Sequence, residues 1–158
     1  MRAPWLDVAA SVIGLLGRAE ITVAIVLGVA LARLRARRGD WWPVLVIVLT
    51  VAVELACKAV VAQEQPPKTL RRSIDIIPTV HTPTPYAYPS GHLARLVFLA
   101  TALRWPSAIS AVLVVLMTFT RVYLAEHWAS DVIGGALLGY GVGELARFVA
   151  SRTRATSA

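Results

Sequence analysis

Cysteine is almost absent from this sequence, which contains a single one, Cys57, inside an apolar run. One thiol cannot form a disulfide within the chain, and it cannot supply the paired cysteines of a CxxC metal site. A disulfide scaffold and a cysteine-based metal site are therefore excluded, and we interpret Cys57 as a small buried apolar residue. A cleavable signal peptide is not expected either, because Asp7 interrupts the apolar start and no convincing A-x-A-like cleavage site follows.

Charged residues are also scarce: they make up 16% of the 158 residues, against 57% hydrophobic residues. The mean hydropathy is +0.65. A soluble domain of this size keeps much of its surface in water and cannot hide that much apolar area. A bilayer solvates apolar side chains directly. The composition therefore predicts a single membrane-embedded domain over residues 1–158.

Acidic residues are few, nine against 16 Lys and Arg, and the formal net charge is +7. A basic chain can bind nucleic acid, but here the arginines cluster beside apolar runs and no basic-aromatic interleaving occurs. That placement is typical of membrane topology and of contact with anionic headgroups. We predict a membrane lipid as partner and no nucleic acid, and the oligomeric state stays open.

Long apolar segments predict an all-α fold, a polytopic transmembrane helical bundle of about five spans. A span needs roughly twenty mostly apolar residues. Residues 1–18 are shorter and fit an N-terminal interfacial helix, with a frayed terminal segment as the alternative. Residues 63–90 are polar and proline-rich and form a long loop, a kind that is often functional. Residues 151–158 are expected to be a mobile tail. The predicted spans are 20–34, 43–62, 92–105, 106–124 and 130–149.

The arginines also predict an orientation. With five spans, the arginine clusters of the first link, of the turn at Arg104 and of the C-terminus fall on one side, which should be cytoplasmic. The 63–90 loop and the turn near His127 then lie on the extracytoplasmic face. The clustered residues are Arg33, Arg35, Arg37, Arg38, Arg104, Arg147, Arg152 and Arg154.

Residues suited to phosphate chemistry converge on that outer face. Ser90, Gly91 and His92 open the third span, where a helix start offers free N–H groups and a positive dipole end to an anion. Lys58 and Arg121 add positive charge, and arginine can bind phosphate through two parallel hydrogen bonds. Together these groups predict an oxyanion cradle.

A histidine and an acid provide the candidate nucleophile. His127 and Asp131 are four residues apart and share one face of a helix. The carboxylate can hold one imidazole nitrogen as N–H, which leaves the other nitrogen free to attack phosphorus. His92 is placed to protonate the leaving oxygen. We expect Glu54 to pair with Lys58, Glu126 to be an exposed acid, and Arg95 either to bind substrate or to lie near the interface.

These residues resemble the type-2 phosphatidic acid phosphatase superfamily, whose motifs are K-x6-R-P, P-S-G-H and S-R-x5-H-x3-D. The second motif is complete here as Pro89–His92. The third matches at Arg121, His127 and Asp131, with Thr120 in the serine position. The resemblance covers roughly residues 20–150.

The first motif departs from the family pattern. Lys58 and Pro66 are kept, but Gln65 stands where the family has arginine. Loop cations are alternative sources of the missing charge, and the candidates are Lys68, Arg71 and Arg72.

The resemblance implies an integral membrane lipid phosphatase that hydrolyses a phosphate monoester or diphosphate through a phosphohistidine on His127. It implies that Asp131 orients His127 and that His92 is the acid, with no metal and no cofactor. The cradle would comprise Lys58, Ser90, Gly91 and Arg121. Two alternatives stay open: a catalytically weak lipid-binding or scaffold protein that retains the pocket, favoured by Gln65, and a lipid phosphotransferase.

Overall fold

The computed structural model describes residues 3–35, 42–76 and 85–155, and within these ranges the chain is helical and contains no strand. Two short 3-10 turns, Leu15–Gly17 and Lys68–Leu70, complete the regular structure. The predicted all-α class is confirmed for these residues. The helices are α1 (Pro4–Gly14), α2 (Ala19–Arg35), α3 (Trp42–Val60), α4 (Gly91–Ala102), α5 (Ser107–Tyr123) and α6 (Ala129–Ala155).

Each predicted span corresponds to one of the helices α2 to α6, but the helices differ in how well they suit a bilayer. By length and composition, the stretches Pro4–Ala32 and Ala129–Arg152 are able to cross a membrane. Gly91–Ala102 and Ser107–Tyr123 are apolar but shorter. The count of five spans therefore stays a prediction. Arg37 and Arg38, on which the predicted orientation partly depends, lie outside the described residues.

The last helix continues past the end that the sequence suggested. α6 runs to Ala155, so residues 151–155 of the expected tail are helical. The Ser151 hydroxyl donates to the Phe148 carbonyl at 2.7 Å, and no glycine or proline interrupts this stretch. Polarity alone does not end a helix when the residues are good helix formers.

The N-terminal segment forms a helix that packs against α5. Pro4 lies in its first turn, where the missing N–H costs nothing. The Tyr123 hydroxyl donates to Asp7 Oδ1 at 2.8 Å, and Asp7 is buried. α1 is thus joined to the bundle through a buried polar contact, while its predicted interfacial position stays a prediction.

α4 lies at the centre of the fold and is buried on all sides. One face carries Phe98 and Leu99, which pack with Val26, Ile47 and Val142 of α2, α3 and α6. The other face forms a cluster with α5 and α6, which comprises Leu93, Leu96, Met117 and Val132. Because α4 packs against several helices, it carries apolar residues on more than one face.

Glycines let α6 approach α4 closely. A Cβ at Gly135 would overlap the Ser90 carbonyl, and one at Gly139 would overlap the Ala94 carbonyl. Small residues are what allow helix backbones to come this close in membranes. Gly141 differs, because a Cβ there would meet open space.

Large apolar side chains cover the outside of the bundle. Val112, Val115 and Phe119 are exposed along α5, and Ile133 and Leu137 along α6. Soluble monomers rarely expose continuous apolar faces of this kind, whereas a bilayer accommodates them.

The two glycines provide a matched test of this helix contact. We expect Gly139→Ala to lower the free energy of unfolding by about 2 kcal/mol, because the added methyl must push α6 away from the Ala94 carbonyl. Gly141→Ala should not destabilise, since its methyl has free space and alanine favours helix. Thermal unfolding of the purified variants in detergent measures both, and equal losses would contradict the close contact.

Candidate active site

The segment Ser90–His92 begins α4 and is fixed from two sides. The Ser90 N–H donates to the Asp131 carbonyl at 2.9 Å, which links the start of α4 to the first turn of α6. A side chain at Gly91 would overlap the Glu54 carboxylate. The Ser90 hydroxyl is fully buried and has no hydrogen-bond partner among the described residues. A buried unpaired donor beside a helix N-terminus is suited to an anion.

His127 lies beside the acid predicted to orient it. The distance from His127 Nδ1 to Asp131 Oδ2 is 3.3 Å, and the same carboxylate oxygen accepts the Trp128 N–H at 2.8 Å. Asp131 is completely buried. A carboxylate held this way keeps the proton on Nδ1 and leaves Nε2 as the free nitrogen.

The turn before His127 is shaped by one residue in the left-handed region. Ala125 has φ 51°, and it follows α5 in the position where helices commonly end in this conformation. The N–H groups of Glu126 and His127 both donate to the Arg121 carbonyl, at 3.1 and 3.3 Å. The turn therefore folds Glu126 and His127 back towards the last turn of α5.

Arg121 is buried, and its guanidinium pairs with Glu126 through Nη1. Nη2 lies 3.4 Å from the Ala10 carbonyl of α1, and Nε has no hydrogen-bond partner in the part of the chain that the structure describes. The expectation that Glu126 is an exposed acid is wrong. Its side chain is only 21% exposed because the turn directs it onto Arg121.

The N-terminal segment forms one wall of the site. A side chain at Gly14 would overlap the Arg121 guanidinium, and one at Gly17 would lie 2.8 Å from His92 Cβ. His92 lies in the first turn of α4, directly after Gly91. Both glycines are thus positions where only a hydrogen atom fits against a candidate site residue.

Lys58 holds the loop that leads into α4. Its ammonium donates to the carbonyls of Pro89, Ala87 and Tyr86, at 3.0, 3.4 and 3.4 Å. Glu54 lies 3.9 Å away, which confirms the pairing expected from the sequence. In this arrangement Lys58 positions the backbone of the P-S-G-H segment.

Arg95 belongs to the same internal network. It binds Glu54 Oε2 at 2.9 Å through Nη1, and its Nε donates to the Gly17 carbonyl at 2.9 Å. Arg95 thus forms a buried ion pair that ties α4 to α3 and to the N-terminal segment, and its expected roles in substrate binding or near the interface stay predictions.

The long loop is fastened to the turn that carries His127. The Trp128 indole donates to the Glu64 carbonyl at 2.9 Å, and the Arg72 N–H donates to the Leu124 carbonyl at 3.1 Å. The Arg72 guanidinium stacks over the Tyr123 ring, 5.1 Å from its centroid. The loop thus contacts the turn on both sides of His127.

Gln65 and Arg71 are paired within this fastened loop. The Arg71 guanidinium donates to Gln65 Oε1 at 3.0 Å. Lys68, between them in sequence, is exposed. Of the loop cations considered from the sequence, only Arg71 is hydrogen-bonded to the side chain that replaces the family arginine.

The chain belongs to the PAP2 superfamily, whose family model matches residues 39–154. It is similar to an undecaprenyl-diphosphatase from Sulfolobus acidocaldarius, with 35% identity over 102 residues, 60% of this chain. The match covers 48% of that protein, so the chain spans about half the length of the curated relative. The predicted family is confirmed.

Two solved structures share the fold. A crystal structure described as the first transmembrane PAP2-type phosphatidylglycerolphosphate phosphatase, from Bacillus subtilis, superposes with a TM-score of 0.70 at 24% identity. It matches 96% of this chain and 80% of its own. Aquifex aeolicus LpxE gives a TM-score of 0.66 at 23% identity, over 92% of this chain and 87% of its own.

Sequence reasoning missed the N-terminal contribution to the site. The structure links Ser90, Arg121, His127 and Asp131 by hydrogen bonds, with Lys58 behind the P-S-G-H loop. Gly91 and His92 follow Ser90 in the first turn of α4. Gly14 and Gly17 were treated as part of an interfacial segment, although two glycines in a short apolar helix are a signal of close contact. Among the described residues, no group of three metal-ligating side chains is present.

Proposed function

We propose that this protein is an integral membrane phosphatase that hydrolyses a phosphate monoester or diphosphate on a lipid. The observation that carries the proposal is the 3.3 Å pair of His127 Nδ1 and the buried Asp131 carboxylate. That pair leaves a nucleophilic nitrogen on a turn whose N–H groups bind the Arg121 carbonyl, and the Asp131 carbonyl binds the Ser90 N–H at the start of α4. Membership of the PAP2 superfamily and the name of the curated relative support the same activity.

In the first proposed step, His127 Nε2 attacks the terminal phosphorus. The bond that breaks joins this phosphorus to the ester oxygen of a monoester or to the bridging oxygen of a diphosphate. His92 donates a proton to the departing oxygen. Asp131 stabilises the positive charge that develops on the imidazole. In the second step water attacks the phosphohistidine, the P–N bond breaks, and His92 takes the proton from water while inorganic phosphate leaves.

The phosphoryl oxygens are held by Arg121, the Ser90 hydroxyl and the N–H groups at Gly91, with Lys58 adding charge from behind the loop. Donors aimed at the developing charge are worth about two to three orders of magnitude in rate each. Because these groups supply the positive charge, the proposed reaction uses no metal and no cofactor.

A lipid substrate follows from where the site lies in the bundle. The exposed apolar faces of α5 and α6 would contact acyl chains, and the polar loop covers the end of the bundle where the headgroup would lie. The name of the curated relative favours a polyprenyl diphosphate over a phosphatidic-acid-like lipid. The phosphotransferase alternative differs only in which hydroxyl accepts the phosphoryl group from His127.

The nucleophile is tested on a panel of polyprenyl diphosphate, phosphatidic acid and phosphatidylglycerolphosphate. Purified protein should release inorganic phosphate from at least one of them, and His127→Ala should reduce the release by about a thousandfold or more, because no other group forms the covalent intermediate. Asp131→Asn should lose activity while keeping the fold. Equal release of inorganic phosphate by wild type and His127→Ala would refute the proposed phosphatase activity. Release only when an acceptor lipid is added would favour the transferase.

We also propose that the site faces the extracytoplasmic side, on the basis of the arginine clusters. Single cysteines placed at Thr69 in the loop and at Ser151 in α6, in a Cys57→Ser background, should react differently with a membrane-impermeant maleimide. We expect labelling of intact cells at Thr69 and not at Ser151. The reverse pattern would show that the orientation is wrong.

Arg71 is proposed to supply the cation that Gln65 lacks. Their 3.0 Å hydrogen bond places the guanidinium at the side chain that replaces the family arginine. Arg72 is engaged with Tyr123 and holds the loop instead. Arg71→Ala should lower kcat/KM by roughly ten- to a hundredfold, as expected for the loss of one phosphate-stabilising donor.

Two controls separate this role from general loop damage. Lys68→Ala removes a charge from the same loop and should have little effect. Gln65→Arg combined with Arg71→Ala moves the guanidinium to the family position and should restore activity. Equal losses at Lys68 and Arg71, or no rescue by the double variant, would contradict the proposal.

A further inference from the structure

The ion pair between Arg121 and Glu126 sits inside the candidate site. Arg121 has a side-chain exposure of 4%, and a buried guanidinium without a partner anion would be costly. Glu126 directly precedes His127 in the chain. A phosphoryl group that binds at His127 and contacts Arg121 would therefore compete with the Glu126 carboxylate for the guanidinium.

The backbone directs Glu126 to this position. Ala125 is in the left-handed region and the N–H of Glu126 is bonded to the Arg121 carbonyl at 3.1 Å. The turn therefore places the Glu126 side chain next to Arg121, the residue at which the turn begins. The pair is a product of the turn geometry and not of two long side chains meeting in solvent.

Buried polar groups of the candidate site lack a hydrogen-bond partner within the described ranges. Arg121 Nε and the Ser90 hydroxyl are both buried and unpartnered among the described residues. Nη2 has only a long contact of 3.4 Å with the Ala10 carbonyl. The site therefore keeps anion-binding capacity, although its strongest cation is neutralised by an internal monoanion.

We propose that Glu126 is a specificity-determining residue that makes the site select phosphoryl groups carrying two negative charges over phosphodiesters. This inference rests on the proposed function and deepens it. A phosphomonoester or terminal diphosphate is close to a dianion at neutral pH. A phosphodiester headgroup is a monoanion, as is the Glu126 carboxylate that it would have to displace.

The charge of the phosphate ligand decides whether it displaces the Glu126 carboxylate from Arg121. Replacing one monoanion by another on Arg121 gains no net Coulomb energy, whereas a dianion gains attraction from Arg121 and from the neighbouring helix N-terminus. Phosphodiester lipids surround a membrane-embedded site at high concentration. The Glu126 carboxylate competes with these lipids for Arg121, and a monoanionic phosphodiester does not displace it. The site therefore stays available to dianions, and its specificity comes from disfavouring the wrong ligand.

The test compares a monoester with a diester on otherwise identical lipids. Dioctanoyl phosphatidic acid is the substrate and dioctanoyl phosphatidylglycerol is the competitor, with inorganic phosphate release as the readout. Wild type should be inhibited only weakly by the diester. Glu126→Gln removes the carboxylate charge from Arg121 and keeps the shape of the side chain, so the ratio of the diester inhibition constant to the monoester KM should fall at least tenfold.

Matched variants identify the cause. Glu144→Gln removes a carboxylate from a solvent-accessible pair with Arg147, at 2.6 Å on α6, and should leave the ratio unchanged. Glu126→Asp keeps the charge and should retain more selectivity than the glutamine variant. A fall in stability alone, measured by thermal unfolding, would not change this ratio, so selectivity distinguishes the proposed role from a structural one.

The outcomes are separable from those of the proposed function. If Glu126→Gln keeps the wild-type ratio, or if wild type binds diester as well as monoester, the role of Glu126 is refuted. If the protein hydrolyses nothing, equilibrium binding of the same two lipids to wild type and Glu126→Gln decides. A lower diester-to-monoester selectivity in the variant then supports Glu126 even though the phosphatase proposal has failed.

Discussion

The Glu54 carboxylate is the interaction on which the arrangement of the site depends. In an apolar bundle each buried charge needs a partner, and Glu54 serves two cations at once, Lys58 and Arg95. Lys58 in turn holds the carbonyls that lead into α4, and Arg95 holds the Gly17 carbonyl of the N-terminal segment. One acid on α3 therefore connects the loop, α4 and the N-terminal wall.

A second group of contacts links the other half of the site. Asp131 binds the Trp128 N–H and His127 through its side chain, and its carbonyl accepts the Ser90 N–H. α4 and α6, packed closely through their glycines, bring these groups into register. The proposed nucleophile and the proposed anion cradle are thus positioned by the same helix contact, so a small shift between α4 and α6 would separate them.

Much of this could be predicted from the sequence. Local patterns identified the helices, the His127–Asp131 spacing and the P-S-G-H segment, since each depends on residues near one another in the chain. The Glu54–Lys58 pair followed from the same helical periodicity. The family motifs added the order of the site residues and the departure at Gln65.

The rest depended on contacts between distant segments. Arg95 reaches Gly17, and Arg121 reaches Ala10, across more than 75 residues of chain. Neither pairing leaves a periodic signal. The exposure of Glu126 was predicted wrongly because its orientation is set by Ala125, which is in the left-handed region. An alanine in the sequence does not predict that backbone conformation. The helical end of α6 was missed because polar composition was taken as the end of a helix.

α6 has 27 residues and begins next to His127, which gives the molecule an internal measure of depth. At 1.5 Å per residue it extends about 40 Å, whereas the hydrocarbon core of a bilayer is about 30 Å thick. If the C-terminal arginines of α6 reach the headgroups on one side of the bilayer, the N-terminal end of α6 lies close to the headgroups on the other side. The length of one helix would then hold the imidazole of His127, the proposed nucleophile, at the level where a lipid carries its phosphate.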